Sequence, residues 1–242
     1  MKKYLMGAAA AIAIAAPGVA AADSGQIGVN YANLDPSGGS SINVYGLNLA
    51  YSHDMSNGWT VQGDGASERF DSSGHVGQGY VGVSAGARND QNSFYAFLGH
   101  GEILGGLDGF GGGIGGQIFC PNATVNGSLG YIDFDGLHAT SADVNGAWFV
   151  NDNFAVNGDV SYTDFDFANV STYGVGATWR FSGSPVALDV GYQKLAGDAD
   201  GNVWRIGLTF NWGTDSAREQ SQKGPSWDGA RTLYHNALYF IF

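Results

Sequence analysis

From Gln26 to Trp212 apolar and polar residues alternate with a period of two, in stretches of roughly ten residues separated by short clusters of Gly, Asn, Asp, Ser and Pro. The clearest stretch ends the series. Trp204, Ile206, Leu208, Phe210 and Trp212 fall on one face of a strand, and Val203, Arg205, Gly207, Thr209 and Asn211 on the other. Tyr45, Leu47, Leu49 and Tyr51 oppose Gly46, Asn48 and Ala50 in the same way, and Tyr173, Val175, Ala177 and Trp179 oppose Thr172, Gly174, Gly176 and Thr178. The pattern predicts about twelve strands, near 25–34, 42–53, 59–70, 76–88, 93–104, 110–119, 123–134, 140–150, 154–165, 170–181, 186–196 and 202–212. Ten or eight remain as alternatives, because the glycines at 111–113, 115 and 116 leave few side chains to read in the sixth segment.

Composition decides which way the apolar face points. The chain holds 40 Gly, 12 Tyr, 14 Phe and 6 Trp, a mixture that suits pleated sheet and disfavours helix. Only 13% of residues are charged, and the polar face carries Gly, Ser and Thr where a soluble sandwich would carry Lys and Glu. An apolar face turned to lipid and a small, weakly polar face turned to a crowded lumen account for both facts. Aromatics near segment ends (Tyr31, Tyr51, Trp59, Tyr131, Trp148, Tyr162, Phe181, Trp212) fall where a barrel places its interfacial girdles. The expected fold is all-β, a transmembrane antiparallel β-barrel of about 12 strands with both ends on one side.

The two ends of the chain lie outside this pattern. Lys2 and Lys3, an apolar run from Leu5 to Ala16, and small residues Val19 to Ala22 before Asp23 read as a signal peptide, Met1 to Ala22, that is cleaved. Pro17 and Gly18 interrupt the run short of the roughly 20 apolar residues that span a bilayer. Beyond Trp212 the alternation lapses. The expected organisation is therefore a signal peptide at 1–22, a barrel at 23–212, and a tail at 213–242 that is either periplasmic or inserted into the lumen.

Charge narrows the chemistry. Past the signal peptide eight basic residues face 22 acidic ones, which argues against nucleic acid. Cys120 is the single cysteine, so no disulfide forms within the chain. Alternation assigns Asp64, Glu68, Arg88, Asp143, Asp159, Arg180, Asp189 and Arg205 to the lumen, where their field would favour cations weakly. If Asp23 starts in the periplasm, the outward turns collect Asp133, Asp135, Asp164, Asp166, Asp198 and Asp200. That acidic rim would attract cations, including divalent ions bridging to lipopolysaccharide phosphates. No catalytic set, resident metal or cofactor is expected. The formal G-x-G-x-x-G at Gly111, Gly113 and Gly116 has no helix after it to hold a pyrophosphate, and the five histidines are scattered.

The hairpins "WFVNDNFAVNGDVSYTDFD" (148–166) and "VSTYGVGATWRFSGSPVALDVGYQ" (170–193), with the strand "RIGLTFNW" (205–212), resemble Gram-negative outer-membrane β-barrel proteins of the small porin-like kind. The resemblance covers most of 25–212 and implies an outer-membrane location, contact with outer-membrane lipid and lipopolysaccharide, and biogenesis through the barrel-assembly machinery. It implies passive diffusion of ions and small hydrophilic solutes, the weak cation preference coming from the lumen charges above. A non-conducting structural or tethering barrel is the alternative. A lipid-modifying enzyme is the third, because "YSHDMSNG" (51–58) is similar to the His and Ser-Asn signature of outer-membrane phospholipases and lipid A deacylases. There the pair shares a strand face, whereas His53 and Ser56, three apart, would point to opposite faces.

Overall fold

The computed structural model describes residues 23–71, 77–103 and 106–238. The signal-peptide reading of 1–22, and His75, lie outside them. The described residues form a closed antiparallel barrel in which each strand pairs with its sequence neighbours and the first with the last. The strands are β1 (Asp23–Pro36), β2 (Ile42–Asp54), β3 (Trp59–Asp71), β4 (Gly77–Arg88), β5 (Asn92–Ile103), β6 (Leu107–Cys120), β7 (Ala123–Phe134), β8 (Leu137–Asn151), β9 (Phe154–Phe165), β10 (Ala168–Arg180), β11 (Val186–Gly197) and β12 (Gly201–Trp212). Two helices follow, α1 (Ala217–Lys223) and α2 (Gly229–Leu238). Neither is long and apolar enough to cross a membrane, which says nothing of the strands.

Closure satisfies every edge of the sheet, which lipid demands because it offers no hydrogen bonds. The start of β1 and the end of β12 share one end of the barrel, the terminal end, and the connections at the opposite, far end are all short. The β7–β8 hairpin shows why. Asp135 (φ 49°) and Gly136 (φ 90°) are both left-handed, the two-residue turn whose twist matches that of the flanking strands.

Large apolar side chains such as Val29, Leu47, Leu98, Ile114, Val175 and Trp204 are exposed on the outer face. In water that surface would be an aggregation hazard; against acyl chains it is the expected covering. Trp59, Trp148, Trp179 and Trp212 mark its terminal end, and Tyr31, Tyr45, Tyr131, Tyr162 and Tyr173 mark its far end. Two girdles result.

The inner face has three zones. Its middle is polar on β8 to β12 and β1 to β3. At the far end it turns apolar: Leu34, Val170, Leu195, Ala199 and Val203 pack together, as do Val44 and Phe70. On β4 to β7 glycines stand among Tyr80, Tyr95, Phe97, Ile132 and Phe134, and the sixth segment, hardest to read in the sequence, is a strand with glycine at most of its inward positions. A Cβ at Gly113 would lie 2.0 Å from the carbonyl oxygen of Leu129 and 2.6 Å from the Phe97 ring. The glycines give β5 aromatics room to lie flat over β6.

Candidate functional site: a lumen narrowed by the chain's own tail

After Trp212 the chain turns at Gly213, whose φ of 76° brings it beside the Asp23 carbonyl, and enters the lumen from the terminal end. Ser216 caps α1 by accepting the Glu219 backbone N–H at 3.1 Å, while the Asp215 N–H bonds back to the Glu219 carboxylate at 2.8 Å. The latter contact holds the Glu219 carboxyl below its ordinary range.

Wall side chains then grip the tail backbone. Arg180 donates to the Thr214 carbonyl (2.6 Å) and the Ser216 carbonyl (3.3 Å), and Arg88 donates to the Lys223 carbonyl (2.7 Å). Gln62 reads both backbone groups of Trp227, accepting its N–H at 3.0 Å and donating to its carbonyl. Trp227 itself is 2% exposed. Its indole N–H donates to Ser93 at 3.0 Å, its ring stacks on Tyr95 at 4.8 Å, and the Arg88 guanidinium lies over the ring at 4.8 Å from its centroid.

The amphipathic α2 runs on from this anchor. Ala230, Leu233, Tyr234 and Ala237 are buried, with Ala230 against Gly82, Tyr234 against Gly99 and Gly101, and Leu233 against Gly130. Their i, i+3, i+4, i+7 spacing is one helix face. Tyr234 reaches the Gly109 carbonyl at 3.2 Å, near the far end. The glycine-rich side of the barrel is thus the berth of the tail.

Opposite that berth the lumen stays hollow. Three cavities of about 290, 300 and 240 Å³ share Asn157 and Arg231 in their walls. Arg231 sits deep in the barrel yet is exposed, because it faces these cavities from the polar side of α2. Asp228, Thr232 and His235 stand on the same side of the helix. Burial pushes the His235 imidazole down, so it is neutral at neutral pH.

Asp64, Glu68, Asp143, Asp159, Arg180, Asp189 and Arg205 all line these cavities. Arg88 points inward too, but it and Arg180 are occupied with the tail. Asp228, Arg231 and His235 escaped the strand-based reading because they follow the last alternating segment. Their signal was the amphipathic spacing after Trp227, legible only to a helical count.

The acidic residues of the expected outer rim sit on three neighbouring far-end hairpins, and several hold those turns. Asp133 accepts the Gly136 N–H (2.9 Å), Asp166 the His138 N–H (3.1 Å) and Asp198 the Asn169 N–H (2.8 Å). Asp200 pairs with Lys194 at 2.5 Å, whose hydrogen bond holds its carboxyl below the usual range. Asp135 and Asp164 share the same rim. Among the described residues no group of three or more His, Cys, Asp or Glu is placed to hold a metal. His53 ends β2 bonded to Asp23, and Ser56 lies in the next turn at the terminal end.

One wall-to-tail contact is titratable. Asn145 donates at 3.0 Å both to Asp143 on the wall and to Asp228 on the tail, and Asn126 also donates to Asp228. Burial, then the Asp143 charge, pushes the Asp228 carboxyl up to about 7, against the pull of Arg231. In an undocked tail the same group titrates near its ordinary value of about 3.9. The docked state therefore binds the extra proton, so docking is firmest below about pH 4 and weakens as pH rises towards 7. Hydrogen exchange of residues 224–238, corrected for the intrinsic rate, should show protection falling over that interval, and Asp228→Asn should flatten the dependence.

A closed, lipid-faced barrel of short hairpins around a polar, partly filled lumen defines the class: this is the fold of outer-membrane, porin-like barrels. No family model and no curated protein matches the sequence. Among solved structures it is similar to the COG4313 outer membrane channel from Pseudomonas putida F1, at 13% identity and a TM-score of 0.62 over 81% of this chain and 99% of that one. The NanC porin matches at 14% identity and a TM-score of 0.55 over 75% and 98%. The KdgM porin, solved in complex with disordered oligogalacturonate, matches at 11% and 0.55 over 76% and 98%.

Proposed function

We propose that this chain is an outer-membrane channel for passive diffusion of ions and small hydrophilic solutes, narrowed by its own C-terminal segment and weakly cation-preferring. The observation that carries the reading is the set of polar cavities that meet at Arg231, bounded by the wall on one side and the polar face of α2 on the other. A barrel meant only to be filled would have no use for a helix that turns Arg231 towards open space. The porin fold of its structural neighbours agrees with this reading. Lumen carboxylates Asp64, Glu68, Asp143, Asp159, Asp189 and Asp228 outnumber the arginines, which favours cations in transit.

The refolded protein in a planar bilayer under a salt gradient should give small, stable steps with a cation-selective reversal potential. An anion-selective potential would overturn the charge assignment. A non-conducting envelope barrel is the second reading, favoured by the apolar packing of Leu34, Val170, Leu195 and Val203 inside the far mouth. Folded protein that never conducts, with or without its tail, would establish it.

A further inference from the structure

One of these cavities, of about 290 Å³, is amphipathic. Towards the far mouth it is lined by Leu34, Val44, Phe70, Ile103 and Val203. Tyr80 and Tyr234, stacked at 5.3 Å and 4° apart in plane, contribute to the same wall. Towards the middle of the barrel it meets Glu68, Asp189, Arg205 and Arg231.

The hydrogen-bonding state of those four charges is unequal. Glu68 accepts from Gln78, and Asp189 accepts from Thr178 at 2.6 Å and from Thr209 at 3.4 Å. The carboxylates thus already have neutral donors from the wall. The guanidinium of Arg205 comes no nearer to a carboxylate than 3.9 Å, to Asp159, beyond hydrogen-bond reach. The Arg231 side chain makes no hydrogen bond and no ion pair within 4.0 Å among the described residues. Each guanidinium has five N–H donors and no acceptor, so this end of the cavity offers donors and lacks acceptors.

We propose that this cavity binds a small monocarboxylate with an apolar body, an aromatic or short branched acid of about the size of benzoate. The carboxylate supplies the acceptors that Arg231 and Arg205 lack, in the planar geometry a guanidinium fits best. The apolar body fills the far half between Phe70, Val44 and the tyrosine pair. An inorganic anion satisfies only the first requirement, and an ammonium ion would face the like charges of Arg205 and Arg231. Size sets the upper limit, since a cavity of about 150 Å³ accommodates a benzene ring, so 290 Å³ holds a ring, a carboxylate and little more. As a solute of the channel this acid rests on the function proposed above; as a bound ligand it does not.

Isothermal titration of the refolded full chain in detergent, with benzoate, benzamide, benzylammonium, acetate and chloride, tests the site. Benzoate should bind, with benzamide, acetate and chloride each at least roughly tenfold weaker. Arg231→Gln, on the polar side of α2, should weaken benzoate by roughly ten- to a hundredfold. Val203→Thr, nearly unchanged in shape, should weaken benzoate and leave acetate alone. Tighter binding of benzylammonium, binding of chloride as well as benzoate, or benzoate affinity unchanged in Arg231→Gln would each overturn the proposal. Conductance measured in parallel separates the two readings. A silent barrel that binds benzoate through Arg231 keeps the site and removes the channel, and a conducting barrel indifferent to benzoate does the reverse.

Discussion

Ending the chain at Trp212 should raise the single-channel conductance several-fold over that of the full chain. The tail lies between the conducting space and the wall of β4 to β7, packed on the glycines and on Tyr80, Tyr95 and Phe97. With the tail removed, the inner surface at Gly82, Gly99, Gly101 and Gly130 loses its cover, and the lumen widens by about the cross-section of a helix, roughly 10 Å with side chains. The barrel itself should survive, since its strand ladder closes through β1 and β12 without help from the tail. Selectivity should change along with size, because Arg231, His235 and Asp228 leave with the helix. Planar-bilayer recordings of both chains, with heat-modifiable mobility to verify folding, decide the matter. Equal steps would mean that solutes bypass the tail altogether, or that the apolar packing at the far mouth controls flow.

Trp227→Ala should release the tail. Large-to-small replacement of a buried aromatic costs about 3–5 kcal/mol. The lower part of that range applies here, because water can enter the polar part of the vacated space. The substitution removes the stacking on Tyr95 and the hydrogen bond to Ser93, and leaves the Arg88 guanidinium without its aromatic partner. The Gln62 contacts are to the backbone and persist only while the segment stays docked. Trypsin cutting at Arg231 reports the undocked population. It should accelerate roughly a hundredfold or more, given about 1.4 kcal/mol per factor of ten. Unchanged cutting would show that Arg180 and Arg88, gripping the carbonyls of Thr214, Ser216 and Lys223, hold the tail without the indole. Phe97, which sits against Gly229 and Gly113, would then be the next residue to test.

How much of this could be read beforehand differs from one part of the molecule to another. The strand from Gly201 to Trp212 was legible because every second side chain is large and apolar and the others are not. Each of the other strands is bounded within a few residues of where the turn clusters put it. Only Leu107–Cys120 was obscure, since its inward positions 109, 111, 113 and 115 are all glycine. Those glycines carried a message that the alternation rule cannot express: a strand without side chains leaves room for rings from its neighbours, Tyr95, Phe97 and Phe134, to lie over it.

Alternation along the chain therefore determined the barrel, and which residues face lipid and which face the lumen, while closure of the sheet fixed the count at twelve strands where the sequence leaves ten or eight open. It could do so because a strand's two faces are fixed by residue parity, and lipid and water sort them one against the other. The path of the segment after Trp212 was decided only in three dimensions. Trp227 reaches Gln62, Ser93 and Tyr95, and Tyr234 reaches Tyr80 and Gly109, across more than a hundred residues of sequence, and no local pattern encodes such a distance. The same holds for the charges. Parity could place Arg88, Arg180 and Arg205 inside, but only the folded tail, by occupying the first two and adding Arg231, settles which guanidiniums are left facing open space.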